Sequence, residues 1–259
     1  MNWYEAIVLG LIQGLTEFLP VSSSGHLEIA KSIFGVDTTS SFYFTVAVHA
    51  ATVLSTMVVF WKEIVSLLYG CLKFKMNEET RYAIKILISM IPVAITGFLL
   101  KNPVKELFNG NIIFIGAMLL VTSSFLLTGH LIKKKERSIG YFDSLVIGIA
   151  QAIAVIPGIS RSGSTIATGL ILGNRKDEIA KFSFLMVLIP VIGVNLVEIV
   201  SGEAVTGSAG IGIILIGFCT AFIAGYVACK WMISLVKNSK MIWFSIYCAV
   251  VGLLSIFLG

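Results

Sequence analysis

The sequence predicts an all-α polytopic membrane protein with six spanning helices and two re-entrant helical hairpins, arranged as an inverted-topology repeat. Of its 259 residues, 57% are hydrophobic and only 13% are charged, and the mean hydropathy is +0.95. Soluble domains carry about 25% charged residues, so a soluble fold is excluded. Two apolar segments are broken by Pro, Gly and Ser at corresponding places, and the basic residues fall in short loops.

Six uninterrupted segments match the roughly 20 apolar residues that a spanning helix needs. They are 41–62, 80–101, 111–132, 177–200, 208–231 and 240–258. Two further apolar segments, 3–35 and 140–173, are interrupted at 20–25 and 157–163. Each half of these segments is short for a full span and suits one arm of a re-entrant hairpin. The whole chain is therefore predicted to form a single integral membrane domain.

The distribution of basic residues predicts the orientation of the chain. If both interrupted segments are hairpins, fifteen basic residues lie on one side and three on the other, and the richer side is cytoplasmic. The fifteen are Lys62, Lys73, Lys75, Arg81, Lys85, Lys133, Lys134, Lys135, Arg137, Arg175, Lys176, Lys181, Lys230, Lys237 and Lys240, and the three are Lys31, Lys101 and Lys105. Turning one hairpin into a full span removes this bias. Both termini are therefore predicted outside.

The two halves of the chain, about 1–132 and 138–259, are predicted to be inverted repeats. Each half has one hairpin and three spans, so the second half starts on the opposite face of the membrane. At an offset of 138 residues the matched pairs are Val8 and Val146, Gly10 and Gly148, Gln13 and Gln151, Ser22 and Ser160, Ser24 and Ser162, and Gly25 and Gly163. The hairpins enter from opposite sides, and their tips are expected to meet near the midplane.

The hairpin tips have the composition of an anion site. Unpaired backbone N–H groups at the start of a helix bind anions, phosphate above all, and glycine allows close approach. The residues predicted to bind substrate are Gln13, Ser22, Ser24, Gly25, Ser160, Ser162, Gly163 and Thr165. Serine also serves as an ordinary helix cap, but two Ser-rich tips with charged residues favour a binding site.

Three ionisable residues at the tips predict chemistry. Arg161 at membrane depth costs about 2.5 kcal/mol or more unless it is paired or solvated, and its guanidinium suits phosphate oxygens. Glu17 can ligate a divalent metal, act as acid or base, orient a histidine, or simply pair with Arg161. His26 can act as acid, base or nucleophile. For His49, in an apolar segment, a structural role is favoured.

Composition also limits the partners. The net charge of +5 comes from loop residues that set membrane orientation, so no nucleic acid partner is predicted. The cysteines are scattered without a C-x-x-C pair and are predicted to be free. Gly212 and Gly217 would allow close helix packing, as in a homodimer, but the sequence leaves the oligomeric state open.

The sequence resembles the bacterial undecaprenyl-diphosphatases of the bacitracin-resistance type. Their first signature, [E/Q]-x-x-x-E followed by P-V-S-S-[ST]-G-H, matches residues 13–17 and 20–26. Their second, P-G-x-S-R-S-G-x-T, matches residues 157–165. The first position of the first signature is Gln13, a variant that the pattern allows. Both signatures are long and specific, and the resemblance covers essentially the whole chain.

The resemblance implies hydrolysis of undecaprenyl diphosphate to undecaprenyl phosphate and inorganic phosphate. This reaction recycles the lipid carrier of cell-wall precursors and confers resistance to bacitracin, which competes by binding the substrate. It implies a multi-pass protein of the bacterial plasma (inner) membrane and a divalent cation, Mg or Ca, near Glu17. The implied catalytic residues are Glu17, Ser23, His26 and Arg161.

The nucleophile and one alternative function stay open at this stage. Ser23 would attack the phosphate with His26 as base, or His26 would attack directly, or water would. The alternative is a polyprenyl-phosphate transporter or flippase, because inverted repeats with helices broken at the midplane are also a transporter architecture. The Glu, His and hydroxyl cluster favours catalysis, since a carrier needs only anion binding.

Overall fold

The computed structural model describes residues 1–36, 42–99, 107, 110–132, 136–193, 210–238 and 240–258, and within them the chain is helical without any β-strand. The helices are α1 (Trp3–Phe18), α2 (Ser23–Phe34), α3 (Phe42–Val59), α4 (Trp61–Leu72), α5 (Glu78–Leu99), α6 (Ile112–Leu131), α7 (Tyr141–Ile153), α8 (Arg161–Leu172), α9 (Lys176–Met186), α10 (Ile211–Lys237) and α11 (Met241–Leu258). Residues 188–193 are also helical. The predicted all-α class is confirmed.

Four of the described helices, α5, α6, α10 and α11, are long and apolar enough to span a membrane. A fifth span results if α3 and α4 are taken together, although they meet at an angle of 74°. The predicted span 41–62 corresponds to α3 and ends at this bend. The predicted span 177–200 begins as α9, and its last residues, 194–200, lie outside the described residues. The protein is thus a multi-pass membrane protein.

The two interrupted segments form equivalent pairs of helices, although α7 ends at Ile153, three residues before the position equivalent to Phe18. Helices α1 and α7 start at Trp3 and Tyr141, and α2 and α8 cover 23–34 and 161–172, all at the offset of 138. Both second arms end on a left-handed glycine, Gly35 at φ 64° and Gly173 at φ 86°. Glycine adopts this conformation without a Cβ clash, which makes it the common helix stop.

Helices α6 and α11 pack through a reciprocal contact. The Ser123 hydroxyl donates to the Ser245 carbonyl at 2.7 Å, and the Ser245 hydroxyl donates to the Ser123 carbonyl at 2.8 Å. Earlier on α6, Gly116 faces the backbone of Gly252, which lies later on α11. The residue numbers therefore increase along α6 while those of their contacts decrease along α11, so the two helices run antiparallel. Small residues and hydroxyls allow this close approach.

Glycines also fix the helices that lead to the hairpin tips. Gly10 and Gly14 of α1 lie against the backbone of Gly217 and Ala221 of α10, so these two helices run parallel. On α7, Gly148 lies against the backbone of Ser89 in α5. A side chain at these positions would push the helices apart. Each tip therefore sits at the end of a helix held tightly by a long span.

Candidate active site

The two hairpin tips contact each other through equivalent residues. A Cβ placed on Gly25 would lie 3.3 Å from the Cα of Gly158, and one placed on Gly163 would lie 3.3 Å from the Cβ of Pro20. Gly158 and Gly163 follow Pro20 and Gly25 by 138 residues, so the two contacts are the same contact made in both directions. The structure thus brings the two sequence motifs together at one place.

The serines that precede the second arms cap their helices. Ser22 accepts a hydrogen bond from the Gly25 amide at 3.3 Å, and Ser160 accepts one from the Gly163 amide at 3.1 Å. Such caps satisfy a backbone donor that the helix leaves unpaired. Both serines are buried. Their structural role is therefore visible, while a role in substrate binding stays a prediction.

The remaining tip hydroxyls differ between the two motifs. Ser162 donates to the Leu19 carbonyl at 3.1 Å and so ties the second tip to the first. Thr165 shares a hydrogen bond of 2.6 Å with Ser183 of α9. These two residues face protein. Ser23 and Ser24, in contrast, line a cavity.

The backbone at Ser22 is strained. Its φ is 69°, whereas φ of the equivalent Ser160 is −74°. A positive φ is uncommon for a residue with a Cβ, and such strain persists only where surrounding contacts hold it. Of the two tips, only the one that carries Ser23 has a residue other than glycine at positive φ. This conformation of Ser22 turns the start of α2 toward the end of α1.

Glu17, at the end of α1, is the centre of the site. Its Oε1 accepts from Nη2 of Arg161 at 2.6 Å. Its Oε2 accepts from the Ser23 hydroxyl at 2.7 Å and from the Gln13 amide at 3.0 Å. One carboxylate therefore joins residues of both motifs. Of the four residues predicted to be catalytic, three are in direct contact.

The ion pair between Glu17 and Arg161 is largely shielded from solvent. The two side chains are only 14% and 15% exposed. Arg161 also reaches the Ser183 carbonyl, at 3.4 Å from Nη1. A buried charge is tolerated when it is paired and hydrogen-bonded, and removing one partner leaves the other uncompensated. The pair therefore holds the guanidinium of Arg161 in a fixed orientation.

A cavity of about 490 Å³ opens beside this cluster. Its charged and polar lining consists of Glu17, Ser22, Ser23, Ser24, Glu28, Lys31, Thr45, His49, Gln151 and Arg161. Its apolar lining consists of Leu27, Val46, Val93, Ala154, Val155, Ile159, Val187, Pro190 and Val191. The lining thus combines polar and charged residues with aliphatic ones. This combination suits an amphiphile with an anionic head.

Comparison with known proteins shows the family of the chain. The family model described as bacitracin resistance protein BacA matches residues 6–254. The chain belongs to the BacA family. A relative from Parabacteroides distasonis is 51% identical over 99% of this chain and 98% of its own length. One from Bacteroides fragilis is 50% identical with the same coverage, and one from Methanosphaera stadtmanae is 36% identical over 98% and 97%. All three carry the name undecaprenyl-diphosphatase.

His26 of this BacA-family chain is not among the residues that line the cavity. Its Nδ1 lies 2.8 Å from the Ser22 carbonyl, and its Nε2 lies 2.8 Å from the Tyr247 hydroxyl. The two rings are stacked at 5.5 Å. Because a carbonyl only accepts, Nδ1 carries the proton and Nε2 accepts from the tyrosine. Both ring nitrogens are therefore occupied by partners other than Ser23.

The cavity contains functional candidates that sequence reasoning missed. Gln151 is only 3% exposed, and neither atom of its amide has a hydrogen-bond partner among the described residues. It lines the cavity, and its match with Gln13 was the signal available in the sequence. His49 also lines the cavity, with Nδ1 held by the Thr45 carbonyl at 2.8 Å. Its Nε2 is the nitrogen left for a ligand.

A divalent cation fits this site only together with oxygens of a substrate. Within the described residues no three His, Cys, Asp or Glu side chains cluster as metal ligands. Magnesium, however, is commonly held by one or two carboxylates together with water and substrate phosphates. Glu17 and the unpaired carbonyl oxygen of Gln151 line the cavity and suit that mode. Both are hard oxygen donors.

Proposed function

We propose that this BacA-family protein is an undecaprenyl-diphosphatase. It removes the terminal phosphate of undecaprenyl diphosphate and so recycles undecaprenyl phosphate, the lipid carrier for cell-wall synthesis. The observation that carries this proposal is the contact of Ser23 and Arg161 with one carboxylate, Glu17. A nucleophile, a base and an anion-binding cation are thereby together at a cavity.

The cavity suits the two halves of this lipid. The aliphatic lining residues accept the first part of the prenyl chain, and the rest of the tail stays in the bilayer. The diphosphate then meets Arg161 and the start of α2, where the helix dipole favours negative charge. Arginine can bind two phosphate oxygens at once. The head is thereby directed toward Ser23.

The hydrogen bonds support a mechanism in which Glu17 acts as the base. The Ser23 hydroxyl already donates a hydrogen bond to Glu17. Proton transfer from Ser23 to Glu17 therefore needs no rearrangement of the side chains. The Ser23 oxygen attacks the terminal phosphorus, and the bond to the bridging oxygen breaks, leaving undecaprenyl phosphate. Water then hydrolyses the phosphoserine and releases inorganic phosphate. His26, whose nitrogens are occupied elsewhere, positions the Ser22 carbonyl instead.

Proton transfer to Glu17 also changes the partner of Arg161. A protonated carboxyl no longer neutralises the guanidinium, which is then free to stabilise the negative charge on the transferred phosphoryl group. The charged lining of the cavity, Glu17, Glu28, Lys31 and Arg161, sums to zero. A diphosphate brings more than one negative charge into this cavity. A divalent cation near Glu17 and Gln151 supplies the compensating charge when it is bound.

We further propose the finer topology of six spans and two re-entrant hairpins, with repeats of about 1–132 and 138–259 and both termini outside. The antiparallel contact of α6 with α11, the parallel contact of α1 with α10 and the reciprocal contact between the tips support it. The plasma (inner) membrane of a bacterium is the expected location. Inhibition by bacitracin through capture of the lipid, and a homodimer, are further expectations.

Phosphate release from undecaprenyl diphosphate in detergent tests the function. We expect wild-type release that depends on a divalent cation and stops with a chelator. Ser23→Ala and Arg161→Gln should abolish release, while Arg175→Gln, in a solvent-exposed ion pair, serves as a charge-matched control. Acid quenching should trap phosphoserine at position 23. Turnover without any trapped phosphoserine would favour direct attack by water.

The same preparation distinguishes a phosphatase from the transporter alternative. That alternative is favoured by one observation, the contact between the tips of two interrupted helical segments, which is also found in transporters. A folded wild-type protein that binds the lipid without releasing phosphate would contradict the phosphatase. Movement of undecaprenyl phosphate across reconstituted vesicles would then identify a flippase. Release of phosphate by the wild type, with loss in Ser23→Ala, excludes a carrier that lacks hydrolysis.

A further inference from the structure

A second ion pair lies in the cavity wall and is not used in the mechanism above. Lys31 Nζ lies 3.2 Å from Oε1 of Glu28, and their side chains are only 6% and 11% exposed. Both residues belong to α2, the helix that begins at Ser23, and both line the cavity. Taking two charges out of water is expensive, and an apolar pair would often be as stable. The fold therefore gains little from these charges.

The second half of the internal repeat shows which residues are sufficient for folding at the positions equivalent to Glu28 and Lys31. At the offset of 138, Glu28 corresponds to Ile166 and Lys31 to Gly169 on α8. Ile166 is fully buried, and Gly169 packs against Ile179. The second hairpin thus builds the same helix, with the same caps, from apolar residues. The charged pair is specific to the hairpin that carries the nucleophile.

The position of the pair along α2 places it next to the reacting group. Lys31 follows Ser23 by eight residues, or about 12 Å along the helix axis at about 1.5 Å per residue. Side chains on a helix lean toward its N-terminus, so the ammonium of Lys31 and the carboxylate of Glu28 lie closer to Ser23 than their Cα atoms do. A headgroup whose terminal phosphate is at Ser23 extends in their direction.

We propose that Lys31 binds the phosphate that stays on the lipid, and that this phosphate displaces Glu28 from its pair with Lys31. The inference rests on the proposed phosphatase function and adds a second phosphate site to it. Arg161 and Ser23 hold the terminal phosphate, and Lys31 holds the inner one. Glu28 competes with this inner phosphate for the ammonium of Lys31, both before and after hydrolysis.

This competition gives the pair a function in selectivity. The diphosphate carries more negative charge than the monophosphate product, so it displaces Glu28 more effectively. After hydrolysis the product retains only the contact with Lys31, and Glu28 replaces it there. The pair therefore favours substrate over product and speeds product release. The two partners must have opposite effects on lipid binding.

Opposite effects can be measured with Lys31→Met and Glu28→Gln. For Lys31→Met we expect the KM for undecaprenyl diphosphate to rise about tenfold or more, with kcat changed much less, because a charge-assisted contact is lost. For Glu28→Gln we expect the inhibition constant of undecaprenyl phosphate to fall several-fold. Lys181→Met and Glu63→Gln, from an ion pair at 3.3 Å outside the cavity lining, are matched controls and should change neither constant.

Two results would overturn the inference. One is an unchanged KM in Lys31→Met; the other is product inhibition in Glu28→Gln that is as weak as, or weaker than, in the wild type. If Lys31→Met does not fold, Glu28→Gln decides alone. Failure of the wild type to release phosphate would instead contradict the phosphatase. Wild-type turnover with normal constants in both variants would leave the phosphatase standing and remove only the second phosphate site.

Discussion

Glu17 and Arg161 lie 144 residues apart in the sequence and form an ion pair of 2.6 Å between the end of one hairpin arm and the start of another. Glu17 also accepts a hydrogen bond from the Ser23 hydroxyl, so the carboxylate that holds the arginine is also placed to deprotonate the proposed nucleophile. In the mechanism that we propose, protonation of Glu17 releases Arg161 toward the phosphate. In the proposed mechanism, the base and the anion-binding cation therefore act as one coupled unit.

Glu17→Gln should lower kcat by about 10²- to 10⁴-fold, the usual contribution of a general base. Glutamine keeps the size of the side chain and can still accept from Ser23, but it cannot take its proton. The change in kcat is measured by phosphate release under saturating substrate. Glu63→Gln, which neutralises a carboxylate outside the cavity lining, is the control and should retain wild-type turnover.

The coupling also predicts non-additivity. Glu17→Gln combined with Arg161→Gln should cost much less than the product of the two single effects, because each single change already disables the unit. Independent, multiplicative losses in the double variant would contradict a shared role. Thermal unfolding of each variant in detergent checks that the loss is not simply loss of folded protein.

His26 is predicted to act as a positioning residue. Its Nδ1–H holds the carbonyl of the strained Ser22, and its other nitrogen accepts from Tyr247. His26→Ala and Tyr247→Phe should both lower kcat, the first by up to about 100-fold, since small misplacements of a reacting group can cost that much. The measurement is the pH dependence of kcat/KM for each variant.

The pH profile separates positioning from proton transfer. A histidine base has an ordinary pKa of about 6.5, and its removal would abolish a titration in that region. We expect the wild-type profile to keep its shape in His26→Ala and merely to move down. Disappearance of a titration on removal of His26 would show instead that the ring moves to Ser23 during the reaction.

Local signals in the sequence predicted the breaks between the helices of the two interrupted segments. Pro20 and the following serines mark where α1 ends and α2 begins, and the repeat offset transfers the start of α7 and both ends of α8. The 74° bend after α3 was not predicted. Hydropathy measures how apolar a segment is but carries no information on its direction. In a hydropathy pattern, an amphipathic helix such as α4 that directly follows a span is therefore not distinguished from a charged loop.

The candidate site was predicted in part. Glu17, Ser23 and Arg161 come together because the tips of two equivalent hairpins meet, which the repeat implied. The orientation of His26 depends on Tyr247, 221 residues away, and no local pattern reports such a contact. No function was predicted for Gln151. Its equivalent in the first repeat, Gln13, is followed one helical turn later by the carboxylate of Glu17, whereas Gln151 is followed there by Val155.

Ser22 provides a test of strain at the first tip. At φ 69° alanine is disfavoured by its Cβ, while glycine adopts this conformation freely. Ser22→Ala should therefore lower the melting temperature clearly more than Ser22→Gly. At Ser160, with φ −74°, only the loss of the cap matters, and the difference between the two variants should be smaller.

The comparison is made by thermal unfolding of the four purified variants in the same detergent. Equal differences between Ala and Gly at both serines would mean that the first tip is not strained. Activity adds a second observation. Ser22→Gly relaxes the turn that directs Ser23 toward Glu17, so it should lose turnover even though it unfolds at a higher temperature than Ser22→Ala.

Gly148 tests whether the close approach of α5 and α7 positions the second tip. A Cβ there would overlap the backbone of Ser89, so Gly148→Ala must separate the two helices. Overpacking of this kind typically costs about 1–3 kcal/mol. The control is Gly97→Ala, within α5, where nothing lies within 4 Å of an added Cβ. It should be neutral or slightly stabilising, because alanine favours helix more than glycine does.

The effect of Gly148→Ala should reach the active site through α7. This helix leads to the tip that carries Arg161, so a shift of its axis moves the guanidinium relative to Glu17. We therefore expect both a lower melting temperature and lower kcat/KM in Gly148→Ala, and neither in Gly97→Ala. A destabilised Gly148→Ala with wild-type kcat/KM would mean that the reciprocal contact between the tips, through Gly25 and Gly163, fixes Arg161 without help from α5.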